Sequence, residues 1–352
     1  MDKNYGCVSV TIGLQALCLL TIPPISPAMM RVGVVGVGSM GQNHARVYSE
    51  IAELAGVYDV MDEQARRIGE RFSCTAFDDL DDLLKKVDAI SICTPTSMHL
   101  EVALKAIAAG VHLLVEKPFT GASLSARELK NEAEKAGVTI AAGFIERFNP
   151  IVGVARDAVR ESSLGRLISL STRRVSSYPA RIRDVGVVMD LGIHDVDVMR
   201  HVTSSEVSSV YALGGMISNP NFEDYANLLM RFENGVVGFL EVNWLTPMKV
   251  RKMSLTCSKS FVQVDYTDQS MELSSSTIKE VDTADMFHIP LELDIRKVAV
   301  RKEEPLRREL LDFLKAAENG GLPNAGAEDA IANLRVCEAA LASMSSGNLV
   351  RL

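Results

Sequence analysis

The chain predicts an α/β protein, a doubly wound parallel sheet followed by an α+β half built on an open-faced, mostly antiparallel sheet. Three observations predict it. A β-branched run, Val32 to Val35, meets Gly36-x-Gly38-x-x-Gly41 and then a helical pattern. Short apolar runs alternate with amphipathic stretches from Arg31 to Ala142, the grammar of parallel strands joined by crossover helices. Beyond Asn149 strand-like runs follow one another with turn signals between them, the grammar of an antiparallel sheet.

Strands are expected at 32–36, 54–59, 88–93, 111–115 and 138–142. Amphipathic stretches such as Met61 to Phe72, Met98 to Ala109 and Ser123 to Ala136 lie between them. The glycines of the first turn have separate tasks. Gly36 allows the turn, Gly38 admits a pyrophosphate to the backbone, and Gly41 lets helix and strand pack closely. The helix N-terminus, with the N–H groups of Ser39 and Met40, favours an anion. Asp59 ends the next apolar strand at the spacing of a ribose-binding carboxylate. It would bind both ribose hydroxyls and repel a 2′-phosphate, so NAD is expected rather than NADP. The alternative is a glycine-rich turn of another α/β protein, with Asp59 a helix cap.

The second half begins with a helical segment, Asp190 to Val202. Strand-like runs follow at Val207 to Ile217, Tyr225 to Phe232, Val236 to Trp244, Met253 to Thr256 and Phe261 to Tyr266. Asn234-Gly235 between two of them is a hairpin signal. Helices return at Pro305 to Glu318 and Ala327 to Ser345.

A length of 352 residues implies more than one domain. The expected division is 30–149 for cofactor binding, 150–303 for substrate and oligomerisation, and 304–352 as helices packing back on the core. Residues 1–29 stand outside it, as an unstructured leader or a mis-assigned start. Val8 to Ile22 is apolar, with Lys3 before it and prolines after it, like a signal-peptide core. It is shorter than the ~20 residues of a membrane span, and Met29 or Met30 suits a start just before the first strand. The net charge of −8 argues against a general nucleic-acid partner. Six scattered cysteines, none as Cys-x-x-Cys, read as thiols of a reducing cytoplasm.

Chemistry is expected beyond the carboxyl ends of the parallel strands, where Thr94-Pro95 and Glu116-Lys117-Pro118 stand. An ammonium at Lys117 would stabilise the alkoxide that develops as a secondary alcohol loses hydride. It would otherwise be a solvated lysine at a loop edge. Asp190 and His194 are four apart and share a helical face, so the carboxylate can orient an imidazole that acts as general base. The same pair also suits an N-cap with a structural histidine. No third and fourth ligand stands near it, so no metal is expected.

Together Gly36-x-Gly38-x-x-Gly41, Glu116-Lys117-Pro118 and Asp190-x-Gly192-x-His194 resemble the glucose–fructose oxidoreductase / inositol dehydrogenase / rhizopine catabolism (Gfo/Idh/MocA) family over nearly the whole chain after residue 30. The resemblance implies a Rossmann domain, an open-faced sheet through which homodimers or homotetramers form, and a cis peptide before Pro118. It implies Lys117, Asp190 and His194 as the catalytic group. It implies NAD contacts at Gly36, Gly38, Ser39, Met40, Gly41, Asp59, Thr94, Pro95, His99, Glu116, Lys117 and Arg147.

Three segments are similar to the UDP-N-acetylglucosamine 3-dehydrogenases within that family: Glu146 to Pro150, Tyr178 to Gly186, and Asn243 to Arg251. This implies a sugar nucleotide as small-molecule substrate, oxidised at C3. The implied substrate contacts are Lys117, Arg147, Asn149, Tyr178, Arg181, Arg183, Asp190, His194, Lys249 and Arg251. The arginines and Lys249 suit a diphosphate, and Trp244 suits stacking on uracil. A cyclitol or simple sugar dehydrogenase, or a sensor that lost turnover, are the competing readings.

Overall fold

The computed structural model describes residues 30–179, 184–218, 220–278 and 291–352. The expected processing or start site around residues 1–29 lies outside them. The first half alternates β1 (Arg31–Val35), α1 (Ser39–Ile51), β2 (Glu53–Tyr58), α2 (Asp62–Phe72), β3 (Thr75–Phe77), α3 (Leu80–Leu84), β4 (Ala89–Ile92), α4 (Thr96–Ala108), β5 (His112–Glu116), α5 (Ser123–Ala136) and β6 (Ile140–Gly143). The strands form one parallel sheet in the order β3-β2-β1-β4-β5-β6. The order reverses between β1 and β4, which places the ligand crevice beyond their carboxyl ends. Each strand expected from the sequence in this half is present. The additional β3 and α3 span three and five residues, too short to show a period.

Helices cover both faces of this sheet, so β1 reads as a continuous apolar run: Val32, Val34 and Val35 are fully buried. The turn after β1 needs its glycines. Gly36 has φ +81, and its N–H donates to the Tyr58 carbonyl at 2.8 Å. A Cβ on Gly41 would overlap the Gly36 carbonyl oxygen.

After β6 comes a 3-10 turn, Ile145–Phe148, and α6 (Pro150–Arg160). Asn149 caps α6 by accepting from the Ile151 N–H, and Pro150 occupies the first turn, where a missing N–H costs nothing. β7 (Leu167–Ser177) follows. A π-helical turn, Val188–Gly192, then leads into α7 (Ile193–Thr203). The chain continues through β8 (Val207–Gly215), β9 (Tyr225–Phe232), β10 (Val237–Asn243), β11 (Leu245–Cys257), β12 (Phe261–Asp265), β13 (Ser270–Ile278) and β14 (Leu291–Ala299). It ends with α8 (Pro305–Asn319), α9 (Ala327–Ser346) and β15 (Val350–Arg351).

The second sheet has nine strands in the order β14-β13-β12-β11-β7-β10-β9-β8-β15. Its pairs are antiparallel except β7 with β10. β7, at its centre, is absent from the sequence reading, as are α6, β13 and β14. The inward positions of β7 include Thr172 and Arg174, which break the apolar alternation that would reveal a half-buried strand.

The last two helices tie the halves together. Leu306, Leu310 and Phe313 of α8 join the apolar cluster of Val32, Val34 and Val57. Glu338 of α9 accepts from both the N–H (2.7 Å) and the hydroxyl (2.6 Å) of Ser123 at the start of α5. The outer face of the second sheet leaves an apolar row in register across three strands, where Phe239 pairs with Leu229 and Leu229 with Tyr211. Phe239 and Leu229 are exposed.

Gly41→Ala is expected to lower stability by ~1–3 kcal/mol, the cost of overpacking, and to weaken dinucleotide binding with it. Thermal unfolding and a cofactor titration of the variant check this; a variant with unchanged melting and affinity would contradict the packing argument.

Candidate active site

The glycine turn and Asp59 form a cradle whose parts fit a dinucleotide. The N-cap of α1 is Gly38, with no side-chain cap, and no acidic residue stands in the first turn. Its first N–H groups therefore face the crevice unclaimed by any side chain, as anion binding requires. A Cβ at Gly38 would meet nothing within 4 Å, so space is open where a pyrophosphate would approach. Asp59 is fixed by two backbone donors, Val37 N–H at 2.8 Å and Met61 N–H at 3.0 Å. Each carboxylate oxygen retains a lone pair for a ribose hydroxyl. A 490 Å³ hollow opens beside this turn, bordered by Gly38, Ser39, Gln42 and Gln64.

Thr94 and Pro95 follow β4, and Glu116 ends β5. His99, assigned to the cofactor from the sequence, is buried in α4. Its two ring nitrogens face the Pro118 carbonyl and the Thr94 carbonyl, both at 2.9 Å. It ties two strand-end loops together and reaches no open cleft. The Lys117–Pro118 peptide is cis, as the resemblance implied.

Lys117 Nζ donates to the Asp190 backbone carbonyl at 2.9 Å and to Asp190 Oδ1 at 2.5 Å. Asp190 is neither a helix cap nor a partner of His194. It lies inside the π-helical turn that precedes α7 and orients the lysine instead. His194, one turn later, is buried, and its Nδ1 has no hydrogen-bond partner among the described residues. Burial pushes this imidazole well below its ordinary value, and the charges of Lys117, Arg174 and Arg251 push it further. It is therefore neutral at pH 7, the form in which an imidazole accepts a proton.

A cation-rich wall lies beside it. Arg174, buried on β7, donates to Asp195 and, at 2.9 Å, to Glu146 Oε1. Arg251 on β11 donates to the same Glu146 oxygen at 2.9 Å. Burial opposes ionisation of Glu146, but these two arginines hold its carboxyl below the usual range. Lys249 is exposed nearby, and Arg251 presses its ammonium below the ordinary value. The sequence reading missed Arg174, Glu146 and Asp195 as functional candidates. An arginine at an inward position of a strand is the signal that could have found Arg174.

Other assignments need correction. The Arg147 guanidinium is buried and spent on Asp197, Asp329 Oδ2 at 2.8 Å and the Asn324 carbonyl. In place of the expected cofactor and substrate contacts, the structure shows a buried ion-pair network. Asn149 caps α6 and donates to the Tyr266 carbonyl at 3.0 Å. Trp244 is 2% exposed, so its ring packs in the core and offers no face for a base. Half-exposed Tyr178 meets it edge-on, with centroids 5.6 Å apart. Arg181 and Arg183 lie outside the described residues. Asp184 accepts from the Thr96 N–H at 3.1 Å, at the first turn of α4.

Residues 30–144 match the family model described as "Oxidoreductase family, NAD-binding Rossmann fold". Residues 152–263 match the "GFO/IDH/MocA C-terminal domain". The chain is 34% identical to the UDP-N-acetylglucosamine 3-dehydrogenase of Acidithiobacillus ferrooxidans, over 82% of this chain and 88% of that protein. It is 29% identical to the scyllo-inositol 2-dehydrogenase (NAD(+)) of Bacillus subtilis, over 92% of this chain and 96% of that one. A solved structure of the Acidithiobacillus enzyme superposes with a TM-score of 0.79 at 30% identity, covering 90% of this chain and 99% of its own.

Arg147→Ala strands Asp197 and is expected to cost ~3–5 kcal/mol, as removal of one partner of a buried ion pair does, with cofactor affinity unchanged. Chemical denaturation beside an NAD titration separates this from a binding role. Acid should also destabilise the fold. Folded His99, His112, His194 and His201 all sit below the ordinary 6.5, His201 at about 4. The unfolded chain thus binds more protons, and stability falls as pH drops from 6.5 toward about 4. A melting temperature flat across that window would refute this.

Proposed function

The chain belongs to the Gfo/Idh/MocA oxidoreductases and binds NAD, and we propose that it oxidises the C3 hydroxyl of a UDP-N-acetyl sugar to a ketone. The observation that carries this reading is the excess of positive charge beside Lys117 and His194. Among the described residues the carboxylates bonded to Arg174 and Arg251 are Glu146 and Asp195. Lys249 stands close enough to Arg251 to feel its charge, and burial drives the Asp195 carboxyl up, against the pull of Arg174. A sugar diphosphate brings the anion such a wall lacks; a free polyol does not. The 34% identity to an enzyme of that name supports it.

When bound, NAD+ supplies the electron-pair acceptor for the oxidation. The residues do the rest. The α1 N-terminus with Gly36, Gly38 and Gly41 holds the pyrophosphate, and Asp59 holds the adenosine ribose. Thr94, Pro95 and Glu116 border the path toward Lys117. Lys117 donates to the C3 oxygen and stabilises its developing charge. Neutral His194 takes the hydroxyl proton. Asp190 fixes the ammonium that must meet that oxygen.

The inositol dehydrogenase reading has one observation in its favour, the longer match at 92% of the chain. We also propose that two copies meet through the apolar row of Tyr211, Leu229 and Phe239, since exposed contiguous apolar surface marks an interface. The free thiols of Cys74, Cys93, Cys257 and Cys337 suit a cytoplasmic enzyme. No helix of the described residues is long and apolar enough to cross a membrane.

Purified protein with NAD+, a keto acid to recycle tightly held cofactor, and UDP-N-acetylglucosamine, myo-inositol or a free hexose tests the substrate. Turnover only with inositol would sink the nucleotide-sugar reading. Lys117→Ala and His194→Ala are each expected to lower kcat by ~100-fold or more, the usual weight of such groups, with NAD affinity nearly unchanged. Near-normal turnover of Lys117→Ala would disprove its role.

A further inference from the structure

Behind Lys117 lies a buried cluster, two members of which, His44 and Glu309, have no part in the reaction as described. His44 on α1, Glu116 at the end of β5 and Glu309 on α8 bring a ring nitrogen and two carboxylate oxygens within 4.8 Å of one another. All three are buried, at 0%, 7% and 2% exposure. His44 Nε2 lies 3.0 Å from Glu116 Oε1. The other oxygen, Glu116 Oε2, accepts from the Lys117 backbone N–H at 3.1 Å. Glu309 is different: neither of its oxygens has a hydrogen-bond partner among the described residues, and His44 Nδ1 has none either.

We propose that Glu309 is a positioning residue that acts on Lys117 through the His44–Glu116 pair. This rests on the reading of Lys117 as the group that meets the reacting oxygen. Two buried carboxyl groups this close do not both ionise. Glu116 takes the charge: burial opposes it, but His44, the Lys117 ammonium and the Lys117 N–H outweigh burial and hold it below the usual range. Glu309 takes the proton. Burial pushes it well above the usual range, and the charges that act on it from neighbouring elements, Glu116, Asp197 and Glu146, and from its own helix, Asp312, are all negative. The Tyr48 phenol and the Cys93 thiol also face it, both driven upward by burial and so uncharged.

A protonated carboxyl group has one O–H to give. The His44–Glu116 pair supplies acceptors within the cluster, and His44 Nδ1 is a bare one whenever Nε2 holds the ring proton. Glu309 makes no hydrogen bond to the pair as it stands, but it lies within 4.8 Å of it. A small closure would bring its donor onto the ring and fix with it the side chain of Glu116. Gly143 packs on the other side of Glu116, where a Cβ would lie only 3.0 Å from the Glu116 Cα and Cδ. Glu116 thus has one position, and the Lys117 backbone hangs from it. The same three groups have the donor set of a divalent cation, which would replace the shared proton.

The full-length holoenzyme tests this through Glu309→Gln and Glu309→Leu. Glutamine keeps a neutral donor of the same shape, so near wild-type kcat is expected. Leucine removes the donor and should lower kcat by ~10- to 100-fold, the scale of a slight misplacement of a reacting group, with KM nearly unchanged. Infrared difference spectra need no substrate: the C=O stretch of a protonated carboxyl should be present in wild type and lost in Glu309→Gln. That readout decides the matter where leucine prevents folding or where no tested sugar turns over. Leucine as active as wild type, glutamine as impaired as leucine, no protonated-carboxyl band, or one tightly bound divalent metal per chain would each overturn the proposal.

Discussion

The ion pair of Lys117 and Asp190 is the point on which the site depends, because it joins two sheets that share no strand. Lys117 leaves the end of β5 in the parallel sheet. Asp190 stands in the π-helical turn behind the second sheet, and it binds the lysine with its backbone carbonyl as well as its carboxylate. A lysine on a loop edge has about 2 kcal/mol of rotamer entropy to lose. Two acceptors on one residue confine its ammonium, and the side chain is only 17% exposed. The site is thereby organised before any ligand arrives, which is what electrostatic stabilisation of a transition state requires.

The same pair demands that α7 enter the core at one rotation. α7 is buried on nearly every side: Ile193 to Arg200 are all buried. A helix buried on nearly every side has no single apolar stripe to set its orientation. Asp195 and Asp197 supply that missing instruction, the first bound by Arg174 and the second by Arg147. Buried ion pairs gain little net stability, yet breaking one is costly. Their effect here is directional, since any other rotation strands both carboxylates and turns His194 out of the cleft. Arg147 is therefore expected to act on the site through the orientation of α7.

This explains which parts were legible in the sequence. The strand–turn–helix around Gly36 is local, so its residues announce the geometry by spacing alone. Lys117, Asp190 and His194 stand in short motifs at element ends, where polar residues are conspicuous. β7 was not legible because its inward positions hold Thr172 and Arg174. The polar residues that make it functional erase the alternation that marks a strand. Arg147 and Asn149 show the opposite failure. Their segment is constrained, but the constraint is a helix cap and a buried ion pair, and sequence alone does not tell such needs from ligand binding. Trp244 misled for a simpler reason: an indole is both a good stacking surface and a large core side chain, and here it fills the core.

The charges of the cleft serve two ends at once. Lys117, Arg174 and Arg251 lower the proton affinity of His194, which keeps the imidazole free to act as base at neutral pH. They also leave the wall short of negative charge, since Arg251 and Arg174 share the one Glu146 oxygen and Asp195 answers Arg174 only. An anionic group of a substrate placed against Arg251 and Lys249 would cancel part of that field. The imidazole would then bind a proton more tightly than in the empty site, because opposite charge nearby favours the protonated form. With His194 as the proposed base, binding and proton abstraction would thus be linked through one electrostatic field. On the proposed mechanism a substrate that carries an anion strengthens the base that acts on it, whereas an uncharged polyol of the same shape leaves His194 a weaker one.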